Sequence, residues 1–169
     1  MFKKTILIVL CLFFSMTSGA LAASSENALM SVALYVDSGG HYVPGSELLT
    51  KGLNEVIRYK LNLLFLGSEV LSGNEVLRGL NRAGITSGQD ATTEALTTYG
   101  STAHVNNVVL LTVRPLSMEL DVKAFNTSEN MFIVNKTVSP PDATSLSTLD
   151  TFSDMIGQQL AELSGLLKS

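Results

Sequence analysis

The feature that most constrains the fold is an apolar run near the middle of the chain, from Val105 to Val113, with the sequence VNNVVLLTV. Its apolar residues do not alternate with polar ones, which is typical of a strand that is covered on both faces. Arg114-Pro115 ends the run, because proline interrupts the hydrogen bonds of a central strand. The sequence therefore predicts a central strand here.

Two further strands are predicted directly after this run. Every second residue from 118 to 124 is apolar and the residues between them are charged, so 117–125 is expected to be a strand with one face in water. Residues 126–130 (NTSEN) are rich in turn formers, and 131–138 (MFIVNKTV) predict a return strand. The three strands are expected to form an antiparallel meander.

The rest of the chain predicts alternating strands and helices. In chain order we expect a buried strand over 30–36, an amphipathic helix over 47–60, a short strand over 63–66 (LLFL), a helix opened by a capping box at 72–75, a helix opened by 87–90 and closed by Gly100, and a final helix from Leu149 to Lys168. The order is β-α-β-α-α-β-β-β-α. It predicts an α+β or α/β two-layer domain with a mixed sheet, helices mainly on one face and a closing C-terminal helix.

The amino terminus has the pattern of a secretory signal peptide. Lys3 and Lys4 precede a short apolar segment at 5–16, and Ala20 and Ala22 supply small residues for cleavage. The apolar segment is shorter than the ~20 residues that a membrane span needs. We therefore expect a signal peptide over 1–22, a flexible segment over 23–29, a single domain over 30–169 without a further span, and a periplasmic or secreted location.

The composition makes several classes of function improbable for the mature protein. Cys11, the single cysteine, lies inside the leader, so no thiol chemistry, disulfide or thiolate metal site is expected. The chain has 11 basic and 15 acidic residues without a basic cluster, which argues against binding to nucleic acid. His41 and His104 are isolated, so neither a metal site nor a cofactor is predicted.

One loop is the best candidate for a ligand site. The loop Asp37-Ser38-Gly39-Gly40-His41 follows the first predicted strand, and α/β sheets commonly bind ligands at the carboxyl ends of strands. The residue types allow a small hydrolase that uses Asp37, Ser38 and His41. The same residues are also typical of a tight turn, and we assign no catalytic residue.

A candidate interaction face is predicted on the sheet. Val108, Leu110, Phe132 and Val134 place apolar residues on both sides of neighbouring strands. If helices cover only one face, these side chains form an exposed apolar patch, which usually marks a protein partner or self-association. Alternatively, the final helix or a loop covers them.

The stretch from Thr92 to Lys136 resembles a segment of bacterial envelope proteins, in which a helix with a small-residue end leads into a strong strand and then a hairpin. The order of elements is similar to the α/β domain shared by the amino-terminal domain of the Tol-Pal translocation protein and the curli-secretion lipoprotein family. The entry to the strand, Val105-Asn106-Asn107-Val108, loosely matches an A-D-Y-V type sequence. The resemblance implies a role in envelope assembly or transport through protein contacts, and it transfers no functional residue.

These observations lead to one functional hypothesis and two alternatives. The chain is expected to be an exported, non-enzymatic module of the cell envelope that binds a protein partner or itself through a sheet face or edge. The first alternative is the small secreted hydrolase described above. The second is a carrier with a pocket for a small ligand between the sheet and the helices.

Overall fold

The computed structural model describes residues 28–66, 69–140 and 147–167. The predicted leader over 1–22, most of the segment over 23–29, and Lys168 lie outside the described residues. The order of elements is the predicted one. The elements are β1 (Ala28–Val36), α1 (Ser46–Leu64), β2 (Val70–Ser72), α2 (Asn74–Arg82), α3 (Thr93–Ala103), β3 (Val105–Arg114), β4 (Glu119–Asn126), β5 (Met131–Val138) and α4 (Thr148–Leu167).

The five strands form one mixed sheet in the order β2-β1-β3-β4-β5. β1 is parallel to both β2 and β3, whereas β3, β4 and β5 form the predicted antiparallel meander. The mixed sheet and the closing C-terminal helix are therefore confirmed. Because β1 connects to β2 on one side and lies beside β3 on the other, the sheet has a topological switch point at β1.

The two longer helices, α1 and α4, pack on the same face of the sheet. Gly52 of α1 lies next to Leu149 of α4, and Lys60 lies next to Gly157, so the two helices run in the same direction. Their inward residues and the facing strand residues form one core. Its largest fully buried members are Met30, Leu53, Leu111, Leu120, Phe152, Ile156 and Leu160.

The two shorter helices, α2 and α3, cover the opposite face. Their buried residues pack on β1 and β3 in a second core that includes Ala33, Leu80, Leu96, Val108 and Leu110. Most helical residues therefore lie on the face covered by α1 and α4, as predicted. The opposite face is also covered, by α2 and α3. This double cover explains why the apolar residues of β3 do not alternate with polar ones.

Several local predictions differ from the structure. The LLFL segment is not a strand: residues 63 and 64 end α1 and Phe65 is its C-cap, and Leu61 and Phe65, four residues apart, both face the core. Ser72 is the last residue of β2, so no capping box forms, and Gly73 precedes the helix with φ of 84°. The segment 87–90 is a turn; α3 starts after Thr92, whose hydroxyl accepts a hydrogen bond from the Ala95 N–H at 3.2 Å.

Gly100 does not close α3, which continues to Ala103. A Cβ at position 100 would lie 2.2 Å from the Thr127 Cγ2. This glycine therefore lets the helix approach the turn between β4 and β5, and it does not act as a helix stop.

Candidate functional site

The predicted ligand loop lies at the carboxyl end of β1, next to the end of β3. The Asp37 N–H donates to the Val113 carbonyl at 2.8 Å, which holds the start of the loop against β3. Asp37 Oδ1 accepts from the Gly39 N–H at 2.8 Å, and the His41 N–H donates to the Ser38 carbonyl at 3.0 Å. The Asp, Ser and His residues therefore fold their own backbone into a turn.

This arrangement does not build a catalytic triad. Asp37 directs one carboxylate oxygen to Gly39 and the other towards Arg114, whose Nε lies 4.0 Å away, and neither oxygen orients His41. The structure has no hydrogen bond between the side chains of Asp37, Ser38 and His41, and His41 is exposed. A triad needs the base bonded to the nucleophile and to a third orienting group. The geometry thus gives the hydrolase alternative no support.

Arg114 forms the centre of an ion cluster beside this loop. Its Nη1 lies 3.1 Å from Glu119 Oε2, and its Nη2 contacts the Asp121 carboxylate. The Thr137 hydroxyl donates to Asp121 Oδ1 at 2.7 Å. Asp121 is only 8% exposed. The polar face of β4, which was predicted to be in water, is therefore shielded from solvent at this residue. The cluster joins the ends of β3, β4 and β5. Among the described residues, no group of three or more His, Cys, Asp or Glu side chains is placed to hold a metal ion.

A short loop between α2 and α3 covers the same polar face. The Lys123 Nζ donates to the Gly88 carbonyl at 2.7 Å, and a Cβ at position 88 would lie 2.1 Å from the Thr112 Oγ1, so only glycine fits so close to the sheet. Asp90 holds the loop in shape by accepting from the Thr86 and Ser87 hydroxyls, and these bonds lower the pKa of its carboxyl.

Tyr35 fixes the loop to β1. Its hydroxyl donates to the Ile85 carbonyl at 3.2 Å. Burial, and to a smaller extent the electrostatic effects of Asp90 and Tyr99, raise the pKa of Tyr35 to about 12. The loop is therefore a structural cover that is bonded to two strands of the sheet, to β1 through Tyr35 and to β4 through Lys123.

The predicted interaction face is not one exposed patch. Val108 and Leu110 are each 1% exposed, because α2 and α3 cover them, so they are not available to a partner. Phe132 packs edge-on against Phe125, with ring centroids 5.3 Å apart, whereas Val134 packs with the core on the opposite face. These four residues therefore do not share one exposed face, because helices cover both faces of the sheet.

The register between β4 and β5 explains why Phe132 and Val134 point to different faces. Ala124 is paired with Val134, but the next residue, Phe125, is paired with Phe132. Ile133 is therefore an extra residue, which makes a β-bulge and breaks the alternation of sides.

The outer edge of β5 has no neighbouring strand in the described part of the chain. The strand has eight residues, and no described strand pairs with its outer side. In an antiparallel pair, about half of the backbone N–H and C=O groups point away from the neighbouring strand. β5 contains no proline, and its one charged side chain, Lys136, is turned towards Glu162 of α4 at 2.7 Å. These backbone groups can accept another strand.

No helix among the described residues is both long and apolar enough to cross a membrane.

Comparisons with known proteins give only structural neighbours. No protein-family model matches the sequence, and no curated protein matches it. The chain is similar to TolB from Acinetobacter baumannii, with 12% identity and a TM-score of 0.41 over 82% of this chain, which spans 30% of the TolB structure. It is also similar to the LpoB C-terminal domain from Escherichia coli, with 14% identity and a TM-score of 0.38 over 73% of this chain and 90% of that domain.

At these identities and TM-scores, the likeness does not extend to activity, ligand or partner.

Proposed function

We propose that the chain is an extracytoplasmic protein-interaction module without enzymatic activity, and that β5 adds an extended segment of a partner protein to the sheet. The export pattern at residues 1–22 supports the location. The observation that carries the interaction is the outer edge of β5, over Met131–Val138, with which no strand of the described residues pairs.

The chemistry of this edge specifies the form of the partner. Its free groups are backbone donors and acceptors in alternation, and an extended chain presents the complementary series. Met131, at the start of the strand, is 51% exposed and gives such a segment an apolar contact. A helix or a sugar would leave most of these donors and acceptors without partners.

Site-specific photo-crosslinking tests this function in the cell envelope. A benzoylphenylalanine residue replaces Met131 on β5, and in a second variant it replaces Asn62 on the exposed side of α1. We expect a discrete crosslinked product from position 131 and none from position 62. Equal products from both positions would mean that the contacts are non-specific, and no product from position 131 would contradict the proposal.

A single charge on the edge shows whether the crosslink depends on strand addition. Asn135 is exposed and is paired across the ladder with Lys123, so Asn135→Asp places a carboxylate opposite a cation and is expected to preserve the fold. An added strand would desolvate this carboxylate, which disfavours binding. We expect the crosslink from position 131 to be lost in Asn135→Asp and retained in the control Asn62→Asp.

A further inference from the structure

A groove of about 550 Å³ lies on the other side of the molecule, between β2 and the facing sides of α2 and α3. Its volume is within the range of about 300 to 1,000 Å³ that is usual for small-molecule sites. The groove is lined by residues in or directly after these three elements, among them Leu71, Val76, Arg82, Ala83, Tyr99 and Ala103.

The floor of the groove is apolar. Leu71 of β2, Val76 of α2 and the ring of Tyr99 of α3 all pack with the second core. The ring of Tyr99 lies directly against α2 at Gly79, where a Cβ would come within 2.7 Å of the Tyr99 Cε2. The glycine therefore allows the ring to approach the helix closely at the bottom of the groove. An apolar chain is the kind of molecule that this surface would remove from water.

The threonines on the α3 side offer no free hydroxyl proton. The Thr98 hydroxyl donates to the Glu94 carbonyl at 2.9 Å, and the Thr102 hydroxyl donates to the Thr98 carbonyl at 2.9 Å. Each hydroxyl thus uses its proton within the helix. This wall of the groove has no charge and gives little preference for a polar ligand group.

The α2 side carries the charge. Glu75 lies 3.8 Å from Arg78, so its carboxylate already faces a cation. Arg82, two turns further along α2, is exposed and forms no ion pair with any residue that the structure describes. A guanidinium group at the end of an apolar groove favours a carboxylate, sulfate or phosphate.

We propose that this groove binds a free single-chain amphiphile with an anionic head group. The alkyl chain lies on the half-buried side chains of Leu71, Ala83 and Ala103, above the buried floor, and the head group contacts the Arg82 guanidinium. The ligand is a dissolved molecule and not a lipid in a bilayer, because the chain has a net charge of −4 and would be repelled by an anionic membrane surface. This site is independent of the β5 edge and does not rest on the function proposed above.

Calorimetric titration with three amphiphiles tests the preference for charge. Dodecanoate, dodecanol and dodecyltrimethylammonium have the same alkyl chain; the two ions are used below their micellar concentrations and dodecanol below its solubility limit. We expect dodecanoate to bind about tenfold more tightly than the cationic amphiphile, and Arg82→Gln to remove this difference. Arg58→Gln, on α1 and outside the groove lining, removes the same charge and keeps the difference. Equal binding of the three molecules, or equal effects of the two substitutions, would overturn the proposal.

Two tryptophan variants test the position of the ligand. Thr102→Trp fills the groove from its exposed rim, whereas Ser101→Trp is an exposed neighbour on α3 that does not line the groove. The chain has no tryptophan, so the fluorescence of each variant also reports that it is folded. We expect at least about tenfold weaker dodecanoate binding in Thr102→Trp and unchanged binding in Ser101→Trp. Unchanged binding in Thr102→Trp would refute the site.

Vesicles of phosphatidylglycerol distinguish a dissolved ligand from a membrane lipid. We expect no sedimentation of the protein with these vesicles. Sedimentation that is lost in Arg82→Gln, together with no binding of monomeric dodecanoate, would show that the assigned source of the ligand is wrong.

Discussion

The two edges of the sheet differ in how they avoid unwanted pairing with other chains. β2 is three residues long and is followed by α2 after Gly73 alone, so it presents few free backbone groups. β5 is eight residues long and has no proline, and its protection is limited to one β-bulge and to Lys136, which is paired with Glu162. Natural sheets usually protect long edges more strongly. The proposed strand addition requires such a difference, because a partner strand can pair only with a long edge whose backbone groups are accessible.

The first prediction concerns the packing that holds each edge strand in place. Phe125 is fully buried and contacts Phe132 of β5, whereas Leu71 of β2 is half-buried beside the groove. Phe125→Ala is expected to lower the free energy of unfolding by about 4 kcal/mol, and Leu71→Ala by about 1 kcal/mol. Urea denaturation measures both values. Equal losses would mean that the two edges are anchored to a similar extent.

The second prediction concerns the polar bonds of β5. Asp121 is nearly buried and accepts bonds from Thr137 and Arg114, whereas the Lys136–Glu162 pair is largely exposed. We expect Asp121→Asn to cost about 2 kcal/mol of stability, because Arg114 loses a partly buried partner. Glu162→Gln is expected to cost about 0.5 kcal/mol, as is usual for exposed ion pairs. If the two substitutions have the same cost, Asp121 is not the main polar anchor of β5.

The third prediction concerns the side of the molecule that carries β2. Gly79→Ala brings a Cβ within 2.7 Å of the Tyr99 ring, so we expect a loss of about 1 kcal/mol, although alanine favours a helix more than glycine does. Gly165→Ala in α4 is the matched control, because a Cβ at position 165 meets nothing within 4 Å. The control is expected to gain about 0.5 kcal/mol in thermal or chemical unfolding. A gain at both positions would show that Tyr99 moves away without cost.

The smallest effect at neutral pH is expected for Tyr35, on the strand next to β2. Its pKa is raised to about 12 in the folded protein, so the folded state holds this proton more tightly than the unfolded chain does. Its contribution to stability is complete below pH 10 and is lost as the pH rises from 10 towards 12. Unfolding measured between pH 9 and 12 is expected to show a weaker decline in Tyr35→Phe. An identical decline in both proteins would contradict the pKa shift.

The sequence was sufficient to predict those elements whose pattern is local. β3, β4 and β5 were predicted within two residues of their observed bounds, because an apolar run and a period of two are visible within each strand. β2 was misplaced, because three half-buried residues carry almost no periodic pattern, whereas LLFL is equally apolar in a strand or at the end of a helix.

The candidate sites were harder to predict, because they depend on contacts between distant segments. The sequence could not assign α2 and α3 to the second face of the sheet, and it therefore left Val108 and Leu110 as candidates for an exposed patch. The position of β5 at the end of the sheet depends on the order of all five strands. The groove near Arg82 requires the packing of Gly79 against Tyr99, for which the sequence offered only an isolated glycine within a helix.

Amide hydrogen exchange, followed by NMR for residues 131–138 of the free protein at low concentration, tests the central claim most directly. The account predicts alternation along β5: amides paired with β4 exchange slowly, and those that point outward exchange fast. Uniformly slow exchange along the whole strand would show that the edge is already covered and would contradict the proposed function.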